Sequence, residues 1–237
     1  RHKDGSWRHL QAIGRNLSNN PSVGGIVLNS RDITERVAAE TQLRSERDLF
    51  ARQVTIMTDL ATRNLFELGL QAAYRTITEQ ASAALLVERV SVWLYGASGD
   101  EVECVDLYVK STGNHASGER LNRSREVFER EIEERIIAID DVATDERAAD
   151  LRSQVYEPRG IGAILDASIW SEGACLGWLT LCHVGGTREW SVAEQGIAIA
   201  LASYCARIVE NEERRKTEQA LRESELNFRS IAEGSPV

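Results

Sequence analysis

The sequence predicts an α+β fold, in which an antiparallel sheet is flanked by helices. Three observations predict it: segments with alternating apolar and polar residues, glycine-containing turns that join these segments in pairs, and long stretches without glycine or proline. The 237 residues are 42% hydrophobic and 27% charged, which is typical of a globular chain. The net charge of −9 argues against a nucleic-acid partner. No apolar run approaches the ~20 residues of a membrane span, so we expect no membrane contact.

The N-terminal part of the chain predicts a hairpin followed by a long helix. Two strand-like segments, 7–16 and 24–32, flank a cluster of loop-forming residues that includes Pro21. From Glu35 to Gly69 the chain then contains no other glycine and no proline. A narrow apolar stripe on this segment favours a dimeric coiled coil, and packing on the chain's own domain is the alternative. The stripe consists of Leu43, Phe50, Val54, Met57 and Ala61.

The central part predicts a sheet built from two hairpins. An amphipathic helix over 65–86 precedes a strand pair at 90–95 and 101–110, and a second pair follows at 161–170 and 176–184. Between the pairs we expect a flexible loop (111–124), a short charged helix (125–134), a strand (136–139), a polar loop (140–147) and a helix (148–157).

The C-terminal part predicts a second long helix. Ser191 and Glu194 have the spacing of a capping box. In this motif the serine hydroxyl accepts a hydrogen bond from the glutamate amide, and the glutamate carboxylate accepts one from the serine amide. The first half of this helix is apolar on a broad face, and its second half, 210–219, is almost wholly charged. We expect Leu201 and Ile208 to contribute to dimer contacts.

The element order resembles that of a GAF domain over residues 65–210. The specific motifs are Gly160-Ile161-Gly162-Ala163, Leu176-Gly177-Trp178-Leu179 and Arg188-Glu189-Trp190-Ser191. They match the family's pattern of a strand, a glycine turn, a second strand and an aromatic residue before a capped helix.

Both ends of the chain resemble parts of PAS domains. The N-terminal motif ends in Asp32-Ile33-Thr34, and the C-terminal one contains Phe228-Arg229-Ser230-Ile231. The expected organisation is therefore the end of a PAS domain (1–36), a signalling helix (37–64), a GAF domain (65–210), an exit helix (211–226) and the start of another PAS domain (227–237).

The resemblance implies a six-stranded sheet with helices on one face and a small-molecule cavity on the other. It also implies a cytoplasmic homodimer from a bacterial multidomain sensor, with a histidine kinase output; a diguanylate cyclase or phosphodiesterase output, and a ligand-free relay, are the alternatives. The expected ligand-binding residues are Asp141, Asp145, Arg147, Tyr156, Arg159, Asp166 and Ser168.

We expect no catalytic residues, no metal and no cofactor in this chain. The four histidines, including His115 in the predicted loop and His183 at a strand end, lack metal-ligand spacing. Cys175 and Cys182 are close in sequence, as methionine sulfoxide reduction by some GAF domains requires, but they lie in apolar segments that favour inert thiols. The Cys182-His183 step lies in the wrong element for bilin attachment. The motifs of cyclic-nucleotide binding and of diguanylate cyclases are incomplete.

Overall fold

The N-terminal unit contains a small antiparallel hairpin. A computed structural model describes residues 2–62, 69–96, 98–122 and 135–233, divided into two compact units, 1–51 and 52–237. Strand β1 (Leu10–Leu17) pairs with β2 (Gly25–Asp32), as the alternation predicts. The assignment of this hairpin to a PAS domain stays a prediction.

Helix α1 (Thr34–Thr62) follows β2 directly. The Asp32 carboxylate accepts a hydrogen bond from the Thr34 amide at 2.9 Å, which caps the helix. Leu43, Phe50 and Val54 of the predicted stripe are exposed. The side chains of Met57 and Ala61 lie outside the described residues, so the coiled coil stays a prediction.

The unit 52–237 contains a seven-stranded antiparallel sheet rather than the expected six strands. Helix α2 (Leu70–Leu85) precedes it and helix α3 (Val192–Glu233) follows it. Its strands are β3 (Arg89–Tyr95), β4 (Glu101–Val109), β5 (Asn114–Ala116), β6 (Arg120–Asn122), β7 (Ile136–Ile139), β8 (Ile161–Ser171) and β9 (Ala174–Val184). The spatial order is β5-β4-β3-β9-β8-β7. Strand β6 lies on the same edge as β5, where it pairs with the beginning of β4 while β5 pairs with its end.

The segment 111–124 is therefore not simply a loop, because it supplies β5 and β6. Both strands are only three residues long, and the alternation of three residues is too short to stand out from a loop. The predicted charged helix at 125–134 lies outside the described residues.

Helices α2 and α3 cover one face of the sheet and form the main core with it. Side chains from alternate positions of β8, such as Leu165 and Ile169, point into this core because successive residues of a strand face opposite sides. Leu201 and Ile208 of α3 lie there too, at 0% and 4% exposure. Their assignment to a dimer contact was wrong, since the domain's own sheet occupies their face.

Helix α3 is the one helix among the described residues that is long and apolar enough to cross a membrane. Its apolar residues between Ile197 and Ile208 pack on the sheet, which accounts for its composition.

The predicted capping box forms at the start of α3. The Ser191 amide donates to Glu194 Oε2 at 2.9 Å, and the Glu194 amide donates to Ser191 Oγ at 3.3 Å. Arg188 extends this cap: its Nη2 donates to Glu194 Oε1 at 2.5 Å and to the Leu85 carbonyl oxygen at 2.7 Å. Arg188 thereby joins the C-terminal end of α2 to the N-terminal end of α3.

Gly177 is required where β9 pairs closely with β3. Its φ of 149° lies outside the range that most residues adopt, and a Cβ atom there would lie 1.9 Å from the carbonyl oxygen of Trp93. The glycine of the recognised motif is therefore needed for strand pairing.

Candidate functional site

The sheet face opposite the helices carries a row of polar side chains. Ser91 on β3 is the direct neighbour of Thr180 on β9, and Thr180 is in turn the neighbour of Asp166 on β8. Arg89 and Cys182 form the next pair of neighbours towards one end of these strands. Because the intervening residues Val90, Leu165 and Leu181 enter the helix-side core, each of these strands has two distinct faces.

A segment of short helical turns covers part of this polar face. The turns are Glu146–Ala148, Ala149–Leu151, Arg152–Tyr156 and Glu157–Arg159. Tyr156, Val142 and Ala148 pack with Ile164 and Cys182 in a second hydrophobic cluster. Arg152 holds the segment in place, since its side chain donates to the carbonyl oxygens of Val142 and Asp145 at 2.8 Å.

A cavity of about 50 Å³ lies between this segment and the sheet. Its polar lining residues are Arg89, Ser91, Glu119, Tyr156, Arg159, Asp166, Thr180 and Cys182. Its apolar lining residues are Trp93, Leu107, Leu121, Leu151, Val155, Ile161 and Trp178. Small-molecule sites combine apolar walls with convergent polar groups in the same way, but they typically have roughly 300–1,000 Å³, far more than this cavity.

The two arginines of the cavity differ in their partners. Arg159 pairs with Glu119 at 2.9 Å and donates to the carbonyl oxygens of Gln154 and Val155 at 3.2 Å. Arg89 is half-buried, and no carboxylate of a described residue lies within ion-pair distance of its guanidinium group. Arg89 is therefore the cavity cation that forms no ion pair with another described residue.

The cavity thiol is unsuited to nucleophilic chemistry. Burial, with a smaller contribution from the Asp166 charge, raises the pKa of Cys182 to about 12. Burial likewise raises the pKa of Cys205 to about 12, and Cys175 is fully buried. Methionine sulfoxide reduction requires a thiolate, and a thiol with so high a pKa forms almost none at neutral pH.

The structure brings three of the seven predicted ligand-binding residues to the cavity: Tyr156, Arg159 and Asp166. Ser168 lies further along the same face of β8, outside the cavity lining.

The other three predicted residues hold loop turns outside the cavity. Asp141 accepts hydrogen bonds from the Ala143 amide and the Thr144 hydroxyl. Asp145 caps a turn by accepting from the Arg147 amide at 2.9 Å, and the Arg147 side chain holds the pKa of this carboxyl below its usual value. Ligand binding by any of the seven residues stays a prediction.

The sequence analysis missed Arg89, Ser91 and Thr180. A usable pattern was present, because Arg89, Ser91 and Trp93 alternate with Val90 and Val92. A strand buried on both sides nevertheless gives little warning of which polar residue will lie beside a cavity.

His115 is nearly buried, not in a flexible loop. It lies on β5, with Nδ1 3.0 Å from an oxygen of the fully buried Asp106 and Nε2 3.1 Å from Glu79 on α2. The Thr78 hydroxyl donates to the same Asp106 carboxylate at 2.6 Å. Among the described residues, no group of histidine, cysteine and acidic side chains is arranged to hold a metal ion.

Comparison with solved structures identifies the fold. The GAF domain of a cyanobacterial phytochrome, solved with bound phycoerythrobilin, matches with a TM-score of 0.58 at 14% identity, covering 69% of this chain and 97% of that one. The GAF domain of an Acinetobacter phosphoenolpyruvate-protein phosphotransferase gives 0.54 at 13% identity, with 70% and 94% covered. The chromophore-binding domain of a Stigmatella aurantiaca bacteriophytochrome gives 0.55 at 12% identity, with 88% and 72% covered. No match was found among curated proteins.

The fold is thus that of a class of sensory and regulatory domains. Residues 69–209, more than half of the chain, match the GAF domain family, and the chain belongs to that family. This confirms the resemblance stated above and the mixed fold of helices and antiparallel sheet.

Proposed function

We propose that the GAF domain of this chain is a cytoplasmic sensor module that binds a small molecule in the cavity beneath residues 146–159. Binding biases the arrangement of helices α1 and α3 in a homodimer, and these helices pass the bias to an output domain of the histidine kinase class. The chain itself has no catalytic role in this proposal.

The two-faced strands β8 and β9 carry the argument. Asp166 and Thr180 face the cavity, while their neighbours Leu165 and Leu181 pack in the core with α3. A ligand that favours one position of these strands therefore shifts the packing beneath α3. The free-energy difference between the two arrangements changes by at most the difference in the ligand's binding free energy for them.

Exposed apolar residues on the helices support the dimer. Leu43, Phe50 and Val54 on α1 are exposed, as are Leu221 and Phe228 on α3. Leu221 and Phe228 are seven residues apart, which is the repeat of a coiled-coil seam. They lie beyond the part of α3 that packs on the sheet, so they replace Leu201 and Ile208 as the proposed contacts on this helix.

Light scattering tests the dimer, and a ligand screen tests the sensor. We expect the mass of two chains, and a shift to single chains on Phe50→Glu with Leu221→Glu. Gln42→Glu with Gln219→Glu is the matched control, since it adds one negative charge to an exposed position of each helix without removing an apolar contact. A single-chain mass for the unaltered protein at all concentrations would refute the relay through a dimer.

The small size of the cavity favours a second candidate, a relay domain that binds no ligand. Trp93, Trp178 and Tyr156 are large side chains that line this cavity, and each is less than 10% exposed. A thermal-shift screen of small metabolites separates the two functions, because a ligand that binds only the folded state raises the melting temperature. A dimer that no compound stabilises would support the relay domain.

A further inference from the structure

Among the described lining residues, Arg89 is the cation with no carboxylate within ion-pair distance, and it favours an anionic ligand. We propose that Arg89, Ser91 and Thr180 form an anion subsite that binds the carboxylate of a small organic monocarboxylate. This inference rests on the proposed sensor function and adds to it the class of ligand.

Position favours Arg89 as the anchor of this subsite. It lies on β3, a central strand of the sheet, and lines the cavity while half-buried. A carboxylate can accept two parallel hydrogen bonds from a guanidinium group, and such a pair is stronger where the site is partly shielded from water. Arg159 has no such need, because Glu119 and two carbonyl oxygens already accept its hydrogen bonds.

Two hydroxyl groups beside Arg89 complete the subsite. Ser91 is two residues along on the same face of β3, and Thr180 is its direct neighbour on β9. The Ser91 oxygen accepts a hydrogen bond from Trp93 Nε1 at 2.9 Å, which leaves its own proton available for donation. The Thr180 hydroxyl makes no hydrogen bond to another described side chain. The three side chains thus present donors to one region of the cavity.

The balance of charge favours a monoanion over a phosphate. Among the described residues, two arginines and two carboxylates line the cavity; Arg159 pairs with Glu119, which leaves Arg89 and Asp166 as the charges that a ligand meets. A dianionic phosphate would add two negative charges beside Asp166, whereas a carboxylate adds one and lies against Arg89. Like charges at close range in a partly buried site are unfavourable.

The volume of the cavity limits the ligand to a few atoms. A water molecule requires about 10–15 Å³ by this measure, so a cavity of about 50 Å³ holds about four such positions. That is the size of acetate or propionate, with the alkyl group against Trp93, Trp178 or Leu107. Ligands of so few atoms bind with micromolar affinity or weaker, so the assay requires millimolar concentrations.

Calorimetric titration with sodium propionate tests the proposal, with propionamide as a neutral analogue of the same shape and inorganic phosphate as the dianion. We expect propionate to bind and the other two to bind at least about 10-fold more weakly, because a hydrogen-bonded ion pair is lost. Arg89→Gln should weaken propionate binding by about 10–100-fold. Arg75→Gln, on the exposed side of α2, is the matched control and should leave the affinity unchanged.

Thr180→Val gives a second test that keeps the volume of the side chain. It should weaken propionate binding by about 2–10-fold, the effect of one neutral hydrogen bond. The folded state of each variant is checked by its melting temperature.

Other outcomes overturn the anion subsite. If propionamide or phosphate binds as tightly as propionate, or if Arg89→Gln binds propionate as the unaltered protein does, the subsite is wrong while the cavity remains a ligand site. If no short carboxylate binds to the unaltered protein, the subsite is also wrong. The sensor function then depends on the wider thermal-shift screen, so the two failures are distinguishable.

Discussion

Replacing Arg188 with alanine should destabilise the GAF domain strongly, although Arg188 lies in a loop. Its guanidinium group donates to Glu194 at 2.5 Å and to the Leu85 carbonyl oxygen at 2.7 Å, and it lies 4.5 Å from the centre of the Trp190 ring. The side chains of Arg188 and Glu194 are 19% and 10% exposed, so water screens the pair weakly. Arg188→Ala would leave a buried carboxylate and a helix-end carbonyl with fewer partners.

The expected loss is about 3 kcal/mol. Removing one partner of a buried ion pair costs about 3–5 kcal/mol, and the low end applies because the Ser191 amide and hydroxyl still donate to Glu194. For a unit of this size, about 3 kcal/mol lowers the melting temperature by about 6–12 °C. Urea denaturation and calorimetry would measure the two quantities independently.

A double-mutant cycle with Glu194→Gln separates the ion pair from the other contacts. The two substitutions should be non-additive by about 1–2 kcal/mol, since each removes the same interaction. Arg214→Ala is the matched control: its pair with Glu218 is 73% and 71% exposed, and its loss should cost less than about 0.5 kcal/mol. Additive effects, or a cost for Arg188→Ala as small as that of the control, would refute this account of the helix ends.

Three further predictions concern the backbone and the thiols. Gly177→Ala should prevent stable folding, because its Cβ atom would overlap the Trp93 carbonyl oxygen. Gly196→Ala, in open space within α3, should stabilise the domain by about 0.5–1 kcal/mol in urea denaturation. Equal effects of the two substitutions would contradict the strand geometry. The four buried cysteines should resist a thiol reagent in the native protein and react in urea, and rapid native labelling of Cys182 would show an open cavity wall. Burial raises the pKa of Cys182 to about 12, whereas the pKa of the unfolded thiol is near 9. The stability that this thiol contributes is therefore complete below pH 9 and falls by about 1.4 kcal/mol per pH unit between pH 9 and 12. Cys182→Ala should flatten the fall in stability between pH 9 and 11, and an unchanged slope would contradict it.

The sequence was sufficient for the longer regular elements of the GAF domain. The alternation of β3, β8 and β9, the motif glycines and the Ser191–Glu194 box each depend on neighbours close in the chain, so local rules apply to them. Leu201 and Ile208 were misplaced for the opposite reason. An apolar helix face suits a sheet and a second helix equally well, and only the assembled fold shows which one covers it.

The candidate site was harder to predict because it is made by strands distant in sequence. Arg89 and Thr180 are 91 positions apart, yet they line the same cavity from neighbouring strands. Acidic loop residues such as Asp141 and Asp145 have the composition of a polar site, but such side chains also hydrogen-bond to their own backbone. The structure shows the second role in both cases.

The helix layer is fastened unequally at its two ends. Arg188 fixes the start of α3 to the end of α2, whereas near residue 210 a hydrogen bond from Ser171 to Glu210 spans an open groove of about 840 Å³. Between these two points, residues Ile197 to Ile208 of α3 are packed in the core, so this part of the helix moves with the sheet. Small displacements of the sheet would therefore be carried along α3 and become larger beyond residue 210, and Ser171→Ala would increase this motion without affecting the contacts of Arg188.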